Sequence, residues 1–177
     1  RDDLLIIHMT LIGNALLSPA NQEAITAQLI DPYYRTRGTV TAGLRVIVEK
    51  LNDFLLERNK KTTRDGKQVI AVLNLAVLHR DILYIAHAGK THTYHITGNG
   101  VLDINEPLET SKGLGLSKTA EVRYYQAAIE PGDILITSVD PPTFWSQGAL
   151  DGSLQLSLEN LRRRLITFEA GFDLGIS

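Results

Sequence analysis

Three of the chain's five histidines fall in one short segment, AHAGKTHTYHI, from Ala86 to Ile96. Imidazoles this close together raise two chemistries, metal ligation and acid–base or nucleophilic catalysis. If the segment is one continuous strand, side chains alternate, so His87 and His95 share a face and His92 takes the other. His87 and His95 are then roughly 26 Å apart at about 3.3 Å per residue. A zinc ion holds its nitrogens at about 2.1 Å, so no two of these histidines share a metal unless the chain folds back sharply near Ala88-Gly89. The simpler reading is a strand whose later half reaches solvent. A Ser/His/Asp triad dispersed along the chain stays open, but no specific motif marks one. There is no Gly-x-Ser-x-Gly elbow. Gly113-Leu114-Gly115 lacks the lysine and the following helix that would make a phosphate loop.

The elements that must position these residues are legible in outline. Leu4–Ile7 is a short apolar run of strand length. Ser18-Pro19 reads as an N-cap and first helical residue, opening a helix to about Ile30 that Asp31-Pro32 stops. A second helix starts near Thr39 or Thr41. It carries Leu44, Ile47, Val48, Leu51, Phe54 and Leu55 on one face and ends near Asn59. The polar run NKKTTRDGK turns at Asp65-Gly66. QVIAVLNLAVL and ILYIAHAGKTHTYHI read as two strands joined at His79-Arg80-Asp81. The turn Thr97-Gly98-Asn99-Gly100 leads to a strand VLDI, with Asn99-Gly100 as a hairpin signal. After the loop NEPLETSKGLGLSKT come strands EVRYYQAAI and DILITSV, and a last helix with Leu158, Leu161, Leu165 and Phe168 on one face. Hairpins imply antiparallel pairing, and strands apolar on both sides must be covered on both. The expected fold class is α+β, an antiparallel β-sandwich flanked by helices in α-β-β-α order.

The 177 residues fit a single domain, 1–177. The chain opens at Arg1 rather than Met, which fits a piece cut from a longer protein. A net charge of −2 argues against a nucleic-acid partner, and Arg162-Arg163-Arg164 reads as a solvated helix face. No apolar run reaches the roughly 18 residues of a membrane span, so no membrane partner is expected. The absence of cysteine excludes thiol catalysis and disulfides and fits a cytoplasmic location.

Two blocks carry a family likeness. ILYIAHAGKTHTYHI resembles the strand Leu-Tyr-Val-Ala-Asn-Val-Gly-Asp-Ser-Arg-Ala-Tyr of the metal-dependent serine/threonine phosphatases, protein phosphatase type 2C. Leu83, Tyr84, Ala86, Gly89 and Tyr94 match; His87 stands for the asparagine, Lys90 for the aspartate, Thr91 for the serine and His92 for the arginine. IEPGDILITSVD resembles Leu-x-Pro-Gly-Asp-x-Leu-Leu-Leu-x-Ser-Asp-Gly of the same family, through Pro131, Gly132, Asp133, Ile134, Leu135 and Ser138. KGLGLS sits where the family has its Leu-Gly segment. The helix pair from Ser18 to Asn59 falls where the family has two helices.

The resemblance implies the PPM-type α-β-β-α sandwich and, in active relatives, two Mg²⁺ or Mn²⁺ ions held by aspartates, with a bridging water attacking the phosphoryl group. Those aspartates are hard to find here. Where relatives have Asp-Gly-x-Gly-Gly, this chain reads HMTLIGNALL. With Ser138 set against the serine of Ser-Asp-Gly, Val139 takes the ligand position and Asp140 comes one residue late. For the closing ligand the chain offers only Asp173. Lys90 puts an ammonium near the metal end, where it points to solvent or binds a phosphate. The resemblance therefore implies a pseudophosphatase: a binding or regulatory module with no metal and no cofactor and with a protein as partner. Lys90, His87 and His92 are its candidate binding residues. The alternative is an active Mn- or Mg-dependent phosphatase with displaced ligands drawn from Asp2, Asp3, Asp140 and Asp173.

Overall fold

The computed structural model describes residues 2–105, 112–145 and 148–173, without the side chains of residue 63 and of residues beyond 166. In chain order the elements are β1 (Leu4–Gly13), α1 (Pro19–Arg35), α2 (Val40–Thr62), β2 (Val69–His79), β3 (Ile82–Ala88), β4 (His92–Thr97), β5 (Gly100–Asn105), β6 (Arg123–Ala128), β7 (Ile134–Ser138) and α3 (Leu158–Asp173). One sheet runs β1-β2-β3-β6 and the other β5-β4-β7, with every pair antiparallel.

Alternation along the strands builds three apolar layers. Odd residues of β2 (Val69, Ala71, Leu73, Leu75 and Val77) meet Leu44, Ile47, Val48, Leu51 and Leu55 of α2. Ala76, Leu83, Ile85 and Ile104 fill the space between the sheets. Tyr94, Ile96 and Leu150 pack with Trp145 and Leu165 outside the second sheet. Each fully buried leucine or isoleucine contributes about 1.5–3 kcal/mol of transfer free energy. The layers are α-β-β-α, as the sequence predicts. No described helix is long and apolar enough to cross a membrane.

Several boundaries differ from the sequence expectation. α1 does not stop at Asp31 but includes Pro32 in its last turn. Pro32 forfeits its own helical hydrogen bond and crowds the Gln28 carbonyl, a cost of about 3 kcal/mol. The extra turn seats Tyr33, fully buried, so that its hydroxyl donates to Asp3 at 2.6 Å. β1 is longer than Leu4–Ile7 because β2 pairs with it through ten residues, as far as Gly13. Phe54 and Leu158 lie largely in solvent rather than on a buried face. The strands do not follow one another as simple hairpins, since β6 returns to β3 and β7 to β4.

The largest difference concerns ILYIAHAGKTHTYHI, which is two strands in two sheets. The chain leaves the first sheet at Gly89, whose φ of +86° suits only glycine, and enters the second at His92. A Cβ at Gly89 would also lie 3.2 Å from Gly113 Cα. The neighbour is close because Leu114 takes the place beside β2 that β3 gives up, exchanging both backbone hydrogen bonds with Ala71. Two asparagines of α2 hold that loop. Asn52 accepts from Gly115 N at 2.9 Å and donates to Ser117 O at 3.0 Å. Asn59 donates to Gly115 O at 2.9 Å and to Val69 O at 2.7 Å.

Candidate functional site

The crossover at Gly89 brings together the residues that could do chemistry. His8, Asn74, His87 and Arg123 are register partners across the four strands of the first sheet. Thr93 and Thr137 are paired across the second. The two rows meet inside the sandwich, where His8 Nδ1 lies 3.0 Å from the Thr137 hydroxyl and His87 Nε2 lies 2.9 Å from the Thr93 hydroxyl.

Asn74 is the hub of this polar layer. Its Nδ2 reaches Thr93 Oγ1 at 2.7 Å, His92 O at 3.2 Å and Thr91 Oγ1 at 3.3 Å, and lies 3.1 Å from His87 Nε2. Thr91 in turn donates to Ser138 O at 3.0 Å. One buried amide thus ties β2 to the incoming β4 and, through Thr91, to the end of β7. The His92 carbonyl needs a donor, which fixes the amide orientation and leaves Asn74 Oδ1 buried without a partner. With Asn74 donating to Thr93, the Thr93 hydroxyl is free to donate to His87 Nε2. The His87 proton then sits on Nδ1, also buried and unpartnered, with the Tyr125 ring centroid 5.5 Å away.

Burial pushes His87 down to about 4, with His92 adding to the shift and Asp103 opposing it, so the ring is neutral at pH 7. Burial also lowers His8. The remaining histidines each have a carboxylate. His92 Nδ1 is 3.1 Å from Asp103, His95 Nε2 is 2.9 Å from Asp133, and His79 Nδ1 is 2.5 Å from Asp3. Asp133 is held below the usual carboxylate range by the Glu130 backbone N–H and then by His95. No three His, Asp or Glu side chains among the described residues form a group able to hold a metal ion.

The sequence-derived site residues separate accordingly. His87, a candidate binding residue, is fully buried and presents no surface to solvent. A ring within the sandwich must satisfy its polar atoms there. His92 is largely buried, bonded to Asp103 and stacked on Tyr94. Lys90 is half-exposed on the turn, with Nζ 3.7 Å from Asp140 Oδ1. The side chain of Asp173 lies outside those described. Asp3 is at the far end of β1, bound by Tyr33 and His79, so it is no stand-in for a metal ligand.

Asp140 calls for a correction. Counted from Pro131-Gly132-Asp133, the motif Pro-Gly-Asp-x-Leu-Leu-Leu-x-Ser-Asp-Gly places its serine on Val139 and its aspartate on Asp140. Asp140 is therefore in register, not one residue late, and lies just past the end of β7. His8 opens the segment that replaces Asp-Gly-x-Gly-Gly. At the three family positions the described residues supply one carboxylate, an imidazole engaged with Thr137 and an ammonium beside the carboxylate. Two divalent ions carry four positive charges and take several carboxylate oxygens. The described residues do not fit such a pair.

Solved structures give the comparison. A serine/threonine phosphatase from S. agalactiae superposes with a TM-score of 0.68 over 93% of this chain and 80% of that one, at 14% identity. The fold is that of the PPM-type phosphatases. Pseudomonas aeruginosa PppA, described as a key regulatory component of T6SS, shares the phosphatase fold with a TM-score of 0.56 over 93% of this chain and 90% of its own, at 12% identity. RsbX, solved in complex with magnesium, matches with a TM-score of 0.56 over 93% of this chain and 78% of its own, at 14% identity. No family model matches the sequence, and no curated protein is significantly similar to it. Identities this low speak to the phosphatase fold, and the chemistry of this chain must be argued from its own residues.

Sequence reasoning passed over Asn74 and Thr93, and gave His8 and Thr91 no role beyond their place in the matched segments. A signal was present for Asn74 and His8, which are single polar residues inside the apolar runs IAVLNLAVL and LLIIHM.

Proposed function

We propose that this phosphatase-fold chain is a non-catalytic module of the cytoplasm that engages a protein partner and works without a metal cofactor. The observation that carries the reading is Lys90. Its ammonium stands 3.7 Å from Asp140, the one carboxylate in register with the family's ligand motif. It offers that carboxylate a cation of the chain's own and adds positive charge where a metal would add more. Lys90 is half-exposed and able to pair with a phosphate or carboxylate on a partner. A second reading has one observation in its favour: Asp140 itself, in register and strongly exposed, is available to a metal if further carboxylates reach it.

The expected result is no turnover of p-nitrophenyl phosphate or of a phosphoserine peptide with either Mn²⁺ or Mg²⁺. Metal-dependent turnover that disappears in Asp140→Asn would establish the second reading instead.

A further inference from the structure

We infer that the outer edge of β1 is a docking site for an extended segment of a protein partner, which adds to the first sheet as a further strand. β1 is an edge strand of that sheet, and among the described residues no strand pairs with its outer side. The direction of its backbone groups follows from the register. Ala71 exchanges backbone hydrogen bonds with Leu114, on the side of β2 away from β1. Odd residues of β2 therefore address that side, and even residues address β1. Their register partners Ile12, Thr10 and His8 make the ladder bonds, and Asn14 N donates to Gln68 O at 3.2 Å in the same phase. The N–H and C=O groups of Leu5, Ile7, Met9 and Leu11 then point out of the sheet edge, with no partner among the described residues.

Edge strands are ordinarily blunted by a lysine, a proline or a bulge. β1 has none of these. No Asp, Glu, Lys, Arg or Pro occurs from Leu4 to Gly13, and the pairing with β2 is continuous. Both flanks of the edge are apolar and open. On the sandwich side Leu4 is 58% exposed, and Ile6 and Ile12 are 44% exposed. On the helix side the Tyr34 hydroxyl donates to the Asp3 carbonyl at 2.9 Å, so the end of α1 overhangs the edge. Ile30, one turn earlier on the same side of α1, is exposed along with Tyr34.

These features define the occupant. Another extended backbone offers donors and acceptors at the two-residue period of the free row. The uncharged strand and its apolar flanks select a run of uncharged β-branched residues. Exposed Asp2, just before the strand, favours a cation beyond the end of that run. A second copy pairing through its own β1 would bring its own α1 over the same slot, where the first already lies. A separate extended segment carries no such helix. The site does not depend on what Lys90 binds.

The test titrates the intact protein with the synthetic peptide KKTVTVTVTVKK and follows amide hydrogen exchange by NMR. The amides of Leu5, Ile7, Met9 and Leu11 should exchange rapidly in the free protein and become saturably protected by the peptide. Those of His8 and Thr10 should be protected throughout. The peptide KKTVPVPVTVKK, which lacks two of the backbone donors, should protect none of the odd amides. Ile7→Pro removes one outward N–H and leaves the ladder to β2 intact. It should bind at least about tenfold more weakly, and so should Ile6→Lys, which serves if the proline variant does not fold. The inference is overturned if the first peptide gives no saturable protection, if both peptides act alike, or if a folded variant binds as the parent does. Protection of the odd amides that rises with protein concentration alone would put a second copy on this edge and overturn it too.

Discussion

Taking the protein from pH 7 to pH 4 is expected to cost about 3 kcal/mol of stability through His87 alone. In the folded chain His87 is pushed down to about 4, against a usual value of 6.5. Between these two values the unfolded chain binds a proton that the folded chain refuses, so stability falls as pH falls. The loss begins near pH 6.5, grows toward pH 4 and levels off below it. A gap of about 2.5 units at 1.36 kcal/mol each gives the order of magnitude. The cause is structural. His87 is sealed between the sheets with one nitrogen beside the Thr93 hydroxyl and Asn74, and neither of these can offset a positive charge. Urea denaturation at several pH values should show this slope in the parent. In His87→Asn, which restores the family's residue, the slope should be shallower by that amount. Equal slopes in the two proteins would mean that His87 is not the group that titrates.

Replacing Asn59 with alanine should be at least as damaging, at about 3–5 kcal/mol. Asn59 is buried and its side chain donates to Val69 O and Gly115 O and accepts from Val69 N. Deleting the side chain leaves those buried backbone groups unpaired, at about 1–3 kcal/mol for each group. The damage should spread. Asn59 and Asn52 hold the loop that pairs Leu114 with Ala71, and that loop packs against the Gly89 crossover. Hydrogen exchange at Leu114 should therefore accelerate along with the drop in urea midpoint. A loss below about 1 kcal/mol would mean that water replaces the amide and that the loop is held in some other way.

Much of this architecture is readable from the sequence because it rests on periodicity. The α2 stripe Leu44, Ile47, Leu51 and Leu55, the two-sided burial of β2 and the Asn99-Gly100 turn are local patterns with one good solution each. The crossover at Gly89 is less readable. A run of residues with strand preference gives no sign of changing sheets, and the cause lies elsewhere, in the bond network of Asn74 and in Leu114 taking β3's place beside β2. Pro32 misleads for a related reason, since the tertiary contact of Tyr33 with Asp3 outweighs a local stop signal. The site follows the same division. Lys90 and Asp140 are visible through the motifs, whereas the polar layer of His8, Asn74, His87 and Thr93 is assembled from four strands and exists only once the register is known.

The central claim, that this phosphatase-fold chain has an ammonium rather than a metal pair beside Asp140, is most directly tested by thermal unfolding with and without Mn²⁺. A metal that binds only the folded state stabilises it by mass action, by about 2.7 kcal/mol when present at a hundred times its dissociation constant. With one in-register carboxylate, and Lys90 3.7 Å from it, the melting temperature should not move on adding millimolar Mn²⁺. A clear Mn²⁺-dependent rise in melting temperature that Asp140→Asn abolishes would contradict the account.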